Sequence, residues 1–365
     1  MAPPGPPPGK GMAWVPGGTF RMGSAGFYPE ERPVHQVTVD GFWIDAHPVT
    51  NAEFRRFVKA TGHVTVAERP PDPGDYPDAD PALLVPGSLV FRRSSGPVDL
   101  RDWRNWWAWV PGACWRRPEG PGSTLHGRDR HPVVQVAYED ARAYAAWAGK
   151  ALPTEAEWEF AARGGLDGKV FCWGDEFAPK GRMMANTCRA SSPGRTCWPT
   201  ATRAPPRWGR SPPNGYGLLD MAGNVWEWTA DRFTPRHPDG VERPCCVPRN
   251  PQVTAPVLAE PIPRRVIKGG SHLCAPSYCL RYRPAARQGE AVDTATGHLG
   301  FRCVVRDPTG CVKALHGQRD RGHPPPGARR RDQPGHDGAA GGVRHGTARQ
   351  GHRRAVLLSR ITLFG

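Results

Sequence analysis

Nothing in the 365 residues approaches the roughly 20 consecutive apolar residues of a membrane span, and the stretch Ala355 to Leu358 falls far short of it. Residues 1 to 10 are rich in Pro and Gly and lack the apolar core of a secretory signal. A soluble, cytoplasmic protein with no membrane partner is therefore expected. Acidic residues are scarce, 34 Asp and Glu against 49 Lys and Arg, for a formal net charge of +15. That deficit is local. Residues 189 to 210 hold five Arg and no acid, and residues 308 to 365 set eleven Lys and Arg against three Asp, so the rest of the chain is close to neutral. The total charge thus does not call for a nucleic-acid partner. Aromatic side chains that could stack on bases are also missing from the basic tail until Phe364. The ten cysteines do not fall into the spacing of a small disulfide framework.

What the chain does have is tryptophan and loop formers, with 14 Trp, 44 Gly and 43 Pro. Such a composition suits one compact body with much irregular backbone. Residues 1 to 11 read as a disordered leader, 12 to 307 as the folded domain, and 308 to 365 as a disordered basic tail with little to bury. Reading past a lost stop codon would give that tail the same texture.

Within the domain, Trp14 to Ser24 alternates as a strand and turn, and Val34 to Ile44 alternates again with Val37, Val39 and Phe42 on one side. Thr50-Asn-Ala-Glu53 is a capping box opening a helix that Gly62 can end; Thr154-Glu-Ala-Glu157 opens another, closed by Gly164 and Gly165. Between them, Pro132 to Val136 reads as a buried strand, followed by a helix from Tyr138 to Ala148. The stretch from about 69 to 130 loosens into Pro, Gly, Asp and crowded tryptophans at 103, 106, 107, 109 and 115. A stacking surface for a base or sugar is one reading of these rings; anchors that pack long loops onto a core is the one adopted.

Residues 188 to 210 change character abruptly and are read as a divergent segment. A compensated frameshift in the gene would explain it, because one choice of codons read two bases later spells an acidic string. A divergent surface loop is the alternative, and the nucleotide sequence decides between them.

The chemistry concentrates in residues 266 to 303. Cys274 and Cys279 sit five apart in a run with Gly269, Gly270 and Pro276. Three arrangements suit them: a short disulfide or redox pair, a zinc site, for which no second Cys or His pair stands nearby, or a two-thiolate site for a soft ion such as Cu(I). Arg281, Arg283 and Arg287 could meet an acidic ligand or pair in the core. Glu155 and Glu157 invite an acid–base reading but suit a helix N-terminus better. His272 and His298 are read as polar side chains rather than ligands. Farther upstream, Asp220 and Glu227 bracket Gly223 and Val225, where two carboxylates and two carbonyls could surround a hard cation, though carboxylates near glycines are more commonly solvated.

Lys268-Gly-Gly-Ser-His-Leu-Cys274-Ala-Pro-Ser-Tyr-Cys279-Leu-Arg-Tyr-Arg283, followed by Ala285-Ala-Arg287 and Leu299-Gly-Phe-Arg-Cys303, resembles the active-site segment of the formylglycine-generating enzymes, or sulfatase-modifying factors. The opening strands and Trp147-Ala-Gly-Lys-Ala-Leu-Pro-Thr-Glu-Ala-Glu-Trp158 are similar to the family as well. The resemblance implies a single α+β domain of low regular content, related to C-type lectins. It implies an oxidase that converts the cysteine of a sulfatase Cys-x-Pro-x-Arg segment to Cα-formylglycine, using O2 and a thiol reductant. Cu(I) would be held by Cys274 and Cys279, with Ser271, Trp226 and Tyr278 around the oxygen. Ca2+ would be held by Asp220, Gly223, Val225 and Glu227. Asn186 and the Thr187 carbonyl match a second calcium site whose acidic partner is missing from the altered segment. Secretory relatives carry extra bridging cysteines where this chain has Ala145, Ala162 and Pro284, which fits a reducing compartment. A monomer is expected. Two alternatives stand beside the oxidase: a non-catalytic binding module of the same fold, whose relatives lack the paired cysteines, and an iron-dependent sulfoxide synthase, whose extra His-rich domain has no counterpart here.

Overall fold

The computed structural model describes residues 2–92, 99, 102–187, 205–209, 211–239, 246–255, 261–276 and 279–306. Most of the divergent segment, the basic tail and Tyr278 therefore lie outside the described residues. Two short strands, β1 (Met12–Val15) and β2 (Gly18–Met22), precede β3 (His35–Val39) and β4 (Phe42–Asp45). Strand β2 pairs antiparallel with β3, and β1 with β4. As the alternation requires, Val37, Val39 and Phe42 are buried.

Both capping boxes form. Thr50 and Glu53 close the start of α1 (Asn51–Thr61) and Gly62 ends it in the left-handed conformation; Thr154, Glu157 and Gly164 do the same for α3 (Glu155–Arg163). Between these helices come the antiparallel hairpin β5 (Gly87–Phe91) with β6 (Trp107–Pro111), and helix α2 (Tyr138–Trp147). The hairpin corrects the reading of 69 to 130 as loop alone. Trp106, Trp107 and Trp115 are buried, which makes them anchors. Phe54 of α1 meets Phe57, Trp115 and Phe301 edge to face at 5.2 to 6.4 Å between centroids. Such rings each contribute about 1.5–3 kcal/mol by burial alone.

Pro132 to Val136 is not a strand, and this is a second correction. The valines are buried as expected, but Gln135 adopts φ +60, which breaks the extended path. The amides of Val133 and Gln135 bond instead to Val49 and Thr296.

The remaining strands are β7 (Trp226–Arg232), β8 (Arg264–Lys268), β9 (Arg287–Ala291), β10 (Leu299–Gly300) and β11 (Val304–Arg306). They build a four-stranded sheet in the order β10-β7-β8-β9, and β11 pairs with β4 on the edge opposite β1. Helix α3 is buried along its whole length and packs on β2, β3, β7 and β8. Arg287 on β9 and Lys268 on β8 both reach Glu155 of α3. The cysteine loop hangs between β8 and β9, so this sheet and its buried charges set where it sits. The result is an α+β, loop-rich domain, and among the described residues no helix is long and apolar enough to cross a membrane.

Candidate active site at a pair of cysteines

The loop leaves β8 through Gly269 and Gly270, both with positive φ. At Gly270 a Cβ would stand 2.9 Å from the Tyr282 nitrogen, so the chain can fold back on itself only because a side chain is missing. The turn places the free sulfurs of Cys274 and Cys279 2.7 Å apart, both buried. Ser271, also buried, donates its amide to Cys274 Sγ at 3.4 Å and accepts the Leu273 amide at its hydroxyl. His272 anchors the upstream arm: its backbone N–H and its Nδ1 both meet the Asn224 carbonyl at 2.9 Å.

The two thiols are driven apart electrically. A hydrogen bond from Cys274 pulls the Cys279 thiol down against the opposing effect of burial, helped by the Arg281 amide and the Arg281 and Arg283 guanidinium groups. Burial, reinforced by the bond to Cys279, holds Cys274 well above the usual thiol range. Of the two thiols, Cys279 is thus the one favoured to ionise first.

Trp226 is buried on β7, its amide bonded to the His298 carbonyl. It packs with Val49, Phe54, Trp115 and Trp228, whereas the sulfurs lie among Trp158, Leu218 and Tyr282. His298 bonds Thr296 Oγ1, and burial lowers it to about 3, so it is a neutral interior side chain.

The arginines beside the cysteines all pair internally: Arg281 with Glu30, Arg283 with Glu31 and Arg287 with Glu155. Glu157 serves the capping box and Arg306, while Glu155 joins a buried cluster with Lys268, Arg287 and the Asp231-capped helix start. Neither glutamate stands ready for acid–base work.

Among the calcium candidates, Asp220 and Gly223 lie on one tight turn with Asn186 and Thr187 beside it. Asp220 and Asn224 are left-handed, and a Cβ at Gly223 would stand 2.4 Å from the Asn186 carbonyl oxygen. Asp220 Oδ2 accepts from Gly209 and Asn224, but among the described residues the buried Oδ1 has no hydrogen-bond partner, and neither does Thr187 Oγ1. Burial raises the Asp220 carboxyl above its ordinary range. Those orphaned oxygens fit a missing cation. Val225 supplies only backbone there, its side chain being buried. Glu227 fits less well, because Arg302 and the Trp158 indole already donate to it. Among the described residues, no group of three or more His, Cys, Asp and Glu is set to hold a metal. A two-sulfur site completed by an incoming thiol, and a calcium site built largely from carbonyls, are the kinds that fit. A cavity of about 510 Å3 lined by Tyr76, Trp109, Tyr138, Arg142, Arg232 and Arg265 contains none of these residues.

Sequence reasoning missed Asn224, Arg302, Tyr28 and Glu31 as parts of the site. The run Glu30-Glu31 facing three arginines some 250 residues later was the one available signal, and only charge complementarity carries it.

The sulfatase-modifying factor enzyme 1-like domain matches residues 2–307. A formylglycine-generating enzyme of Mycobacterium tuberculosis (strain ATCC 25618 / H37Rv) is 57% identical over 295 residues, covering 80% of this chain and 97% of the relative. One from Streptomyces coelicolor (strain ATCC BAA-471 / A3(2) / M145) is 46% identical over 301 residues, covering 81% and 89%. The solved structure of PvdO from Pseudomonas aeruginosa aligns over 80% of this chain and 93% of its own at a TM-score of 0.53 and 24% identity, a likeness of fold alone. With a domain match across the folded body and relatives of this identity over nearly their whole length, the chain belongs to the sulfatase-modifying factor enzyme family.

Proposed function

We propose that the protein oxidises the cysteine of a sulfatase Cys-x-Pro-x-Arg segment to Cα-formylglycine, with O2 as oxidant and a thiol as reductant. The observation that supports this best is the buried pair of reduced sulfurs, 2.7 Å apart, at the matching positions of a family whose relatives carry that name. The balance is simple: the substrate CH2–SH, O2, two protons and two reductant electrons give the aldehyde, hydrogen sulfide and water.

Cys274 and Cys279 would hold Cu(I), which supplies the one-electron chemistry that a closed-shell thiol and O2 lack. The residues favour this donor set. Its environment pulls the Cys279 thiol down, towards the deprotonated form a metal needs. Ser271 orients Cys274 through its amide. Burial excludes water from the sulfurs and leaves a third sulfur, the substrate's, as the remaining donor. Trp226, although it packs in the neighbouring apolar cluster, and Tyr278, outside the described residues, would complete the oxygen pocket as the resemblance implies. Asp220, Gly223 and Val225 would hold Ca2+, with Glu227 contributing through the oxygen that has one donor; Asn186 and the Thr187 carbonyl would belong to the second site.

The test is oxidation of a Cys-x-Pro-x-Arg peptide followed by mass spectrometry, with and without added copper and with and without a thiol. Loss of product in both Cys274→Ser and Cys279→Ser is expected, and full turnover by either variant removes the assignment.

A further inference from the structure

The cysteine loop has two arms. The upstream arm is fixed by Gly270 and the His272–Asn224 bonds, close to β8. What fixes the downstream arm comes from the other end of the chain. The Leu280 amide, immediately after Cys279, donates to Tyr28 Oη at 3.0 Å. The Arg281 guanidinium stands 4.0 Å from the centre of the Tyr28 ring and pairs with Glu30. Arg283 lies 3.6 Å over the Phe27 ring and reaches Glu31 with both terminal nitrogens, while its Nε donates to the Leu280 carbonyl at 2.6 Å. Glu31 is fully buried, and Arg281 and Arg283 are nearly so.

We propose that residues Phe27 to Glu31 form the positioning element of the oxidase site, with Tyr28 and Glu31 as positioning residues that hold Cys279 opposite Cys274. The proposal rests on the reading of the two cysteines as the reacting site. A buried, bidentate guanidinium cannot drift without losing its partner, so the chain from 280 to 283 is fixed at two points. Cys279 is one residue from the first of them. Tyr28 is the more telling of the two, because it is only half-buried and a phenylalanine would fill the same space. Among the described residues its hydroxyl bonds only the amide that follows Cys279, so that oxygen serves the loop rather than the core.

The experiment compares the full-length protein with Tyr28→Phe and Glu31→Gln. The first readout needs no turnover: the rate at which diamide closes a Cys274–Cys279 disulfide, followed by thiol alkylation and mass. In that step two thiols lose two protons and two electrons to the azo bond, giving a disulfide and a hydrazine. Tyr28→Phe is expected to close about tenfold more slowly, the weight of one hydrogen bond. Its kcat on the peptide should fall by about the same factor with KM unchanged, while its melting temperature stays within a few degrees. Glu31→Gln strands the Arg283 charge and should be slower still, and if it fails to fold, Tyr28→Phe carries the test. Wild-type closure and wild-type kcat in Tyr28→Phe overturn the proposal, as does a loss that merely follows the unfolded fraction. If the wild-type protein does not oxidise the peptide, the function fails, and the closure rates still decide the positioning.

Discussion

Arg302 meets Glu227 across 75 residues of chain in a buried pair, its Nε 2.7 Å from one carboxylate oxygen and its Nη2 2.8 Å from the other. The Trp158 indole adds a third bond at 2.7 Å. The carboxylate assigned to a cation from sequence is thus already largely neutralised. Truncating one partner leaves an unpaired interior charge, so Arg302→Met should cost about 3–5 kcal/mol. Removing both charges in Glu227→Gln/Arg302→Met should recover much of that loss. Urea midpoints for the four proteins of the cycle measure the coupling, and strictly additive costs would contradict the pairing.

Stability should also fall on the alkaline side of neutrality. Burial raises Glu290 to about 8 and Asp231 to about 7 from ordinary values of 4.5 and 3.8, so both hold their protons to higher pH in the folded chain. Their support is complete below the unfolded values and is lost as pH climbs through the folded ones. Burial lowers His237 and His298 to about 3, so unfolding takes up protons below about 6.5 and stability declines as pH drops from there. From about 4.5 to 6.5 the two trends oppose. Of these four groups both acids act between 6.5 and 7 and Glu290 alone from 7 to 8, at up to about 1.4 kcal/mol per pH unit for each. Glu290→Gln should flatten that decline, and melting temperatures at pH 6, 7 and 8 would reveal it.

Much of the fold could be read from sequence where the signal is local. A hydroxyl and a carboxylate three residues apart fix the starts of α1 and α3 at Thr50 and Thr154 because the whole capping box lies within one turn. The alternation of Val37, Val39 and Phe42 worked for the same reason. Strands β8 and β9 were illegible. Arg-Arg-Val-Ile-Lys and Arg-Gln-Gly-Glu-Ala look like solvated segments, yet Lys268, Arg287 and Glu290 are buried, compensated by Glu155 and Glu159 more than a hundred residues away or by losing charge. The cysteine pair was legible as a motif, but its grip by Tyr28 and Glu31 was not, since long-range ion pairs leave no periodicity in the chain.

Gly270 and Gly62 give a controlled comparison. Both are left-handed, φ +66 and +69, but a Cβ at Gly270 would stand about 3.0 Å or less from the backbone of Arg281 and Tyr282, whereas Gly62 has nothing within 4 Å. Alanine at Gly62 should cost only the conformational penalty, about 1 kcal/mol. Alanine at Gly270 should cost about 1–3 kcal/mol more. It should also displace the arm after Cys279 and reduce peptide oxidation. Equal losses of melting temperature in the two variants would show that the close approach behind the cysteine loop is unimportant.

Asp220 decides the calcium question. Its Oδ1 is buried with no hydrogen-bond partner among the described residues, an arrangement that costs about 1–3 kcal/mol unless something fills it. Burial also raises its carboxyl, the opposite of what a bound divalent cation would do. Calcium should therefore stabilise the protein through this residue, by about 2.7 kcal/mol at a hundredfold excess over Kd. Chelator-treated protein should regain melting temperature with millimolar Ca2+ but less with Mg2+, which demands tighter octahedral geometry than a turn of carbonyls supplies. Asp220→Asn removes the charge while preserving the shape, and it should abolish most of the calcium response while leaving the apo protein as stable or more so. If instead calcium raises the melting temperature of Asp220→Asn as much as that of the wild type, the ion is held elsewhere. If it raises neither, Asp220 is simply a buried acid that accepts the amides of Gly209 and Asn224.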